Sequence, residues 1–224
     1  MSTLESKGSV IFWLTLIIVI HWLTDGLVGG LDGFVGSKFS GISSQVWQVF
    51  VFLLQSCTTI LVILWANHRL LPESQRSIAS LWNVSLSTVT LSIITGGAAF
   101  VVAEEIRSVV SPFLPEVSFS EPEMDSWRNA FFLLDAIIVA PVLEELFFRG
   151  VCYRCLRTRF SIPTSVVWIS SLFALGHVSP SSMPHTFFLS AVLCTMFEKT
   201  GSIAPPVVVH VTVNATSILL LAKA

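Results

Sequence analysis

Ala140-Pro141-Val142-Leu143-Glu144-Glu145-Leu146-Phe147-Phe148-Arg149 sets two adjacent carboxylates and a guanidinium inside a greasy run. A charged side chain near a bilayer centre costs roughly 2.5–3.5 kcal/mol on insertion scales, so such groups face one another or water in a cavity. Two further polar islands follow in apolar sequence, His177 and the pair His210/Asn214. Together they predict a buried polar site inside a membrane protein.

The composition points the same way. The chain has 224 residues, of which 53% are apolar and only 12% charged, and its mean hydropathy is +0.80. Soluble domains carry about 25% charge; half of that at this hydropathy describes a polytopic membrane protein. One Tyr against seven Trp and seventeen Phe is a lipid-adapted aromatic set, and Trp47 and Trp65 bracket one apolar run as interface anchors do. The net charge of −2 argues against nucleic acid as a partner. Cys152 and Cys155 form a lone CxxC beside Cys57 and Cys194. Without a second CxxC this reads as small residues on a helix, with neither a disulfide framework nor a metal site expected.

A helix crossing a ~30 Å core needs about 20 residues. Seven runs are candidates, at 10–28, 46–66, 81–103, 129–149, 163–177, 186–197 and 203–222, and six to eight spans all fit. The fifth and sixth are short, which suits tilted or partly embedded helices. The fourth is expected to run on as a helix toward Arg157. The runs are too long for barrel strands, so the expected fold is an all-α transmembrane bundle of about seven spans. The first run follows Lys7 and has no A-x-A cleavage site after it, so it reads as a retained span rather than a signal peptide. One membrane domain covers 1–224, with N-terminal helices in 1–103 and a catalytic core in 129–216. With the N-terminus inside, seven Lys/Arg fall in inside segments and four in outside ones, which favours that orientation. The acidic, proline-bearing stretch 104–125 reads as the longest connection. Gly29, Gly30, Gly33 and Gly36 read as a flexible loop. Gly96-Gly97-Ala98-Ala99 reads as close helix packing, and His21 with Asp25 as an interfacial pair.

Helix geometry divides the two glutamates. Glu145 and Arg149, four apart, share a face and can neutralise each other. Glu144 points about 100° away and projects into the bundle, where a buried carboxylate suits acid–base work. His177 is its natural partner: a Glu–His pair sharing a water makes that water nucleophilic. Taken alone, His177 also reads as an interfacial histidine before the Ser179-Pro180 turn. His210 and Asn214, four apart on one helix face, offer an imidazole N–H and an amide NH2, donors suited to an oxyanion. They also suit interhelical hydrogen-bond glue. Three apolar helices each carrying a complementary polar cluster favour chemistry over glue.

The motifs resemble those of the CAAX-processing and bacteriocin-processing (CPBP, or ABI) family of intramembrane proteases, type II CAAX prenyl endopeptidases included. That pattern is EExxxR, FxxxH and HxxxN. Here it reads Glu144-Glu145-Leu146-Phe147-Phe148-Arg149, Phe173-Ala174-Leu175-Gly176-His177 and His210-Val211-Thr212-Val213-Asn214, in family order. The resemblance covers roughly 129–216. It implies that Glu144 and His177 activate the hydrolytic water, His210 and Asn214 bind the oxyanion, and Glu145 and Arg149 support the site. It implies a membrane-associated peptide or protein substrate, which in one branch is a prenylated CAAX tail and in bacterial members a maturing peptide. The short chain and terse loops look like a bacterial member, in the plasma membrane. Glu144, His177 and His210 also make a chemically reasonable zinc set. There is no H-E-x-x-H helix, however, and glutamate–histidine activation needs no metal, so no cofactor is expected. Two readings from other classes stay open: a non-catalytic scaffold or immunity protein that binds a partner, and a proton-coupled transporter, against which stands the absence of repeated halves.

Overall fold

Every regular element among the described residues is a helix. The structure, a computed structural model, describes residues 7–31, 34–35, 38, 42–115, 133–177 and 179–221. Helix α1 is Lys7–Leu31 and α2 Ile42–Leu70. A 3-10 segment, Ala79–Trp82, precedes α3, Leu86–Val110. Next come α4, Ala140–Phe147, and α5, Arg154–Arg157. The chain ends with α6, Ile162–Leu175, α7, Met183–Thr200, and α8, Ala204–Leu221. All seven apolar runs thus carry helix, and the fold is all-α. The fourth run does continue as helix to Arg157, through a turn of wider π-helix at Phe148–Tyr153.

Local chemistry sets several boundaries. Ser85 caps α3 by accepting the Thr88 N–H at 3.2 Å. Pro163 and Pro184 stand in the first turns of α6 and α7, where a missing N–H costs nothing. Gly201 ends α7 with φ +64°, the left-handed conformation glycine adopts freely, and returns its N–H to Phe197 O at 2.8 Å. Two boundaries differ from the sequence reading. Helix α1 runs through Gly29 and Gly30 to Leu31, so the glycine loop does not begin there; Gly33, Gly36 and the Asp25 side chain lie outside the described residues. The stretch expected to be a connection from Glu104 is helical to Val110 and 3-10 to Phe113, because the acidic residues 104 and 105 still sit in a strongly apolar helical run.

The chain divides into two compact units, Met1–Arg76 with Glu121–Asp135, and Ser77–Ser120 with Ala136–Ala224. In the first, α1 packs on α2. The Arg69 guanidinium lies 4.7 Å from the Trp13 ring centroid, and Asn67 Nδ2 donates to Arg76 O at 3.0 Å. In the second, α3 packs on α7 and α8, and α6 on α7. The α3–α8 approach depends on Gly96: a Cβ there would stand 2.7 Å from Thr212 Cβ and 3.0 Å from Val209 O, whereas Gly97 has nothing within 4 Å. Ala99 completes the seam against Val209 and Val213. Gly96→Ala is therefore expected to cost about 1–3 kcal/mol by overpacking. Gly97→Ala is expected to be neutral or to gain up to about 1 kcal/mol of helix propensity. Thermal unfolding midpoints of the two variants in detergent check this pair; equal midpoints would contradict the seam.

Among the described residues two helices, Val46–Leu70 and Leu86–Phe113, are long and apolar enough to cross a membrane. At 1.5 Å per residue their 25 and 28 residues span about 38 and 42 Å. They are largely unburied: Phe50, Leu61 and Leu64 on one and Leu91, Ile94 and Val101 on the other are all more than half exposed. Apolar helices that face outward suit a lipid solvent. The three segments Gly8–Leu23, Ile162–Leu175 and Ala204–Leu220 are apolar but shorter.

Candidate active site

Helix α4 carries both glutamates, and both its neighbours are π-helical: Asp135–Val139 before it and Phe148–Tyr153 after it. Such one-turn π insertions shift the side chains that follow and recur at functional sites. Pro141 has no N–H, so the carbonyls of Ala136 and Ile137 are deprived of it as the donor of a π or α turn. Asn214 fills that gap, donating Nδ2–H to Ala136 O at 2.8 Å. At the far end the Phe148 N–H is shared between Glu144 O and Glu145 O. All six residues of the second π segment, Arg149 among them, are buried.

The side chains separate as the helix geometry requires. Glu145 and Arg149 are fully buried and joined, Arg149 Nη1 to Glu145 Oε1 at 2.9 Å. Arg149 Nη2 donates to Ser190 Oγ at 2.6 Å and to Ser190 O at 3.0 Å. The guanidinium carbon stands 4.9 Å from the Phe173 ring centroid. One carboxylate, two oxygens of α7 and an aromatic face thus compensate a charge removed from water, which an ion pair alone does poorly. Glu145 Oε1 also accepts from His210 Nδ1 at 3.0 Å, while Glu145 Oε2 has no hydrogen-bond partner among the described residues.

Glu144 is one-third exposed, and its Oε2 lies 3.8 Å from His210 Nε2. His210 therefore stands between two carboxylates. A carboxylate only accepts, so the His210 Nδ1 facing Glu145 carries the hydrogen, and Nε2 presents a lone pair to Glu144 in the neutral ring. His177 is exposed on the turn after α6. Its Nδ1 is 2.9 Å from Phe173 O. A carbonyl likewise only accepts, so its Nε2 is left as the basic atom. Among the described residues His177 makes no ion pair with Glu144; the imidazole within reach of that carboxylate is His210. Both imidazoles stand against Phe173, their centroids 4.9 Å (His177) and 5.8 Å (His210) from its ring. The three motifs thus meet around one benzyl ring and one buried carboxylate. Phe173 belongs to the second motif, but its role as the common wall is new, as are the Glu145–His210 contact and the Ala136 carbonyl.

Ser190 had no motif to announce it. Its only sequence signal is indirect: a buried arginine has five N–H donors, and one carboxylate cannot satisfy them. A second polar group ties the far end of the same helices. Tyr153 Oη donates to Glu198 Oε2 at 2.8 Å and Arg157 Nε does so at 3.1 Å. The Arg157 hydrogen bond, with help from Tyr153, holds the Glu198 carboxyl below its usual range. Cys152, Cys155 and Cys194 are buried free thiols. Among the described residues no three His, Cys, Asp or Glu side chains are arranged to hold a metal ion.

Residues 126–216 match the model of a family described as type II CAAX prenyl endopeptidase Rce1-like. The match contains all three motifs and agrees with the resemblance drawn from them. No curated protein and no solved structure matches the chain.

Proposed function

From the family that residues 126–216 match, we propose that the chain is a multi-pass membrane endopeptidase acting on membrane-associated peptides, with a CAAX-type prenylated tail as the leading substrate class. The observation that carries the reading is the series Glu144, His210, Glu145 and Arg149: a partly exposed carboxylate at 3.8 Å from an imidazole whose other nitrogen is fixed, at 3.0 Å, by a fully buried ion pair. A purely structural ion pair has no need of the exposed carboxylate at its outer end.

In this reading Glu144 and His177 activate one water. The water oxygen bonds to the substrate carbonyl carbon as its proton passes to the base, and the carbonyl electron pair moves onto oxygen. Asn214 gives one amide hydrogen to Ala136 O, and we assign the second to the oxyanion. His210, with its Nδ1–H spent on Glu145, donates through Nε2 only once that atom is protonated. Glu144 is the group in position to hand it the proton taken from water. The intermediate collapses, the carbon–nitrogen bond breaks, and the leaving amine takes up the proton. Glu145 and Arg149 are positioning residues. None of these steps calls for a metal.

The test is cleavage of a prenylated CAAX peptide and of an unprenylated control by the purified chain in detergent, with and without EDTA. The expected result is cleavage of the prenylated peptide that survives EDTA. Loss in EDTA would replace the glutamate–histidine mechanism by a zinc one. No cleavage of either peptide would remove the CAAX substrate.

A further inference from the structure

A second polar cluster lies at the opposite end of α6 from His177, the 14 residues of that helix and about 21 Å away. It centres on Glu198, the one acidic residue between Leu146 and Ala224. Glu198 Oε2 accepts from Tyr153 Oη at 2.8 Å and from Arg157 Nε at 3.1 Å. Glu198 Oε1 accepts from Arg157 Nη2 at 3.2 Å, and Arg157 Nη1 donates to Phe160 O at 2.6 Å. Tyr153, the chain's one tyrosine, is fully buried, with its ring edge-on to Phe197 at 6.0 Å between centroids. Its hydroxyl reaches from the core to a carboxylate whose side chain is 28% exposed.

These contacts fall on the far end of the π segment Phe148–Tyr153, whose near end carries Arg149. The segment is thereby pinned to α7 at two points, by Ser190 at its start and by Glu198 at its close. The spacings agree: eight residues separate Arg149 from Arg157 and eight separate Ser190 from Glu198, about 12 Å along α7. Between the pins the segment is closely packed. A Cβ on Gly150 would stand 3.2 Å from Ile203 Cδ1, and Gly150 O accepts from Arg154 Nη1 at 3.2 Å. A π turn closes its hydrogen bonds one residue farther on than an α turn. If the segment went over to α geometry, Arg149 and Glu145 would rotate against Tyr153 and Arg157 by about the ~100° of one residue. Glu145 Oε1 holds His210 Nδ1 at 3.0 Å, so that rotation would release the imidazole that faces Glu144.

We infer that Glu198 is a positioning residue for the proposed hydrolysis: through Tyr153 and Arg157 it holds the π segment in register, and through that segment it fixes Arg149, Glu145 and His210. The inference deepens the peptidase reading and rests on it for the reaction. The line of contacts runs from Glu198 to Tyr153, along the π segment to Arg149, and on to Glu145 at 2.9 Å and His210 at 3.0 Å. A misplacement of about 1 Å transmitted from a remote residue can cost ~10²-fold in rate. No other carboxylate downstream of Glu145 is available to take over the role.

The test combines cleavage kinetics with a readout inside the π segment. Cys152 lies in that segment as a fully buried free thiol, and the exposed Cys57 serves as the internal standard. The full chain in detergent is treated with N-ethylmaleimide, and the labelled positions are read by peptide mass spectrometry. In Glu198→Ala, Cys152 is expected to label at least about tenfold faster relative to Cys57. On the prenylated peptide, well below the thermal midpoint, kcat per folded molecule should fall by about 10–100-fold, with KM within about twofold of native. Glu198→Gln keeps an acceptor oxygen for Tyr153 and Arg157 and should restore both readouts to within about threefold of native. A role in stability alone would lower the midpoint and leave kcat per folded molecule where it was. If Glu198→Ala does not fold, Tyr153→Phe, which removes one hydrogen bond, decides with the same signs. Native labelling of Cys152, or an unchanged kcat, overturns the inference. Faster labelling in the variant with no cleavage by the native chain would leave the latch standing and remove the peptidase reading; cleavage that Glu198→Ala leaves unmoved would do the reverse.

Discussion

Glu144→Gln is expected to lower kcat for peptide cleavage by at least about 100-fold, within the ~10²–10⁴-fold range of positioned acid–base groups, while leaving the fold intact. The two halves of that expectation come from different observations. Glu144 is one-third exposed, and His210 Nε2 stands 3.8 Å from its Oε2, beyond hydrogen-bond length. Glutamine keeps the shape and loses nothing that the helix depends on, so stability should move by no more than about 0.5 kcal/mol. What it loses is the capacity to take a proton from water and to return it to His210. KM should change far less than kcat, because the group acts on the reacting water and not on the peptide at large. Cleavage rates and thermal midpoints of the purified proteins, measured side by side, check both halves. An unchanged kcat in the variant removes Glu144 from the chemistry and with it the mechanism proposed here. A collapsed thermal midpoint would mean instead that the carboxylate is structural.

The helical fold and much of the site's polar inventory were legible in the sequence because both are one-dimensional patterns. Apolar runs of helical length determine helices in any order of packing, and the i, i+4 spacings of Glu145 with Arg149 and of His210 with Asn214 put each pair on one face. The Glu145–Arg149 bond at 2.9 Å is the direct consequence. What the spacing does not contain is the pairing between helices. The sequence coupled Glu144 to His177 because a Glu–His pair sharing a water makes that water nucleophilic; in the structure it is His210 that stands between the two glutamates, and His177 lies on the exposed turn with its Nδ1 on Phe173 O. Asn214, read as an oxyanion donor, gives one hydrogen to Ala136 O. That carbonyl is available only because Pro141 withholds an N–H and the helix before it widens to π form. A π turn leaves no periodicity that an eye set to 3.6 residues can find. Ser190 was hidden for a simpler reason: a lone serine in an apolar helix reads as packing until the arginine it serves is placed opposite. The end of α3 reads as a connection because the stretch from Glu104 is acidic and soon carries prolines, although Glu104 and Arg107, three apart, stabilise the helix they sit on.

Arg149→Met is expected to be among the most damaging single substitutions in the chain, costing about 3–5 kcal/mol, the range measured when one partner of a buried ion pair is removed. The guanidinium is fully buried and meets Glu145, both oxygens of Ser190 that can accept, and the face of Phe173. Methionine fills part of the space and satisfies none of these, and it strands the Glu145 carboxylate with His210 as its remaining partner. Arg149→Lys should recover only part of the loss: one ammonium is a point charge and cannot fork between α4 and α7 as the planar guanidinium does. The informative variant is the double one. Replacing a whole buried pair by apolar groups of similar volume is often close to neutral, so Glu145→Leu with Arg149→Met should regain most of the stability lost in Arg149→Met alone. It should not regain activity. With Glu145 gone, His210 Nδ1 loses the acceptor that fixes its tautomer and ring orientation, and the Nε2 that faces Glu144 is no longer held. Unfolding of the native, single and double variants in detergent, followed with cleavage rates on the same samples, separates the two roles. A double variant that is stable and inactive assigns the buried pair to positioning His210. One that is stable and as active as the native chain would reduce Glu145 and Arg149 to packing.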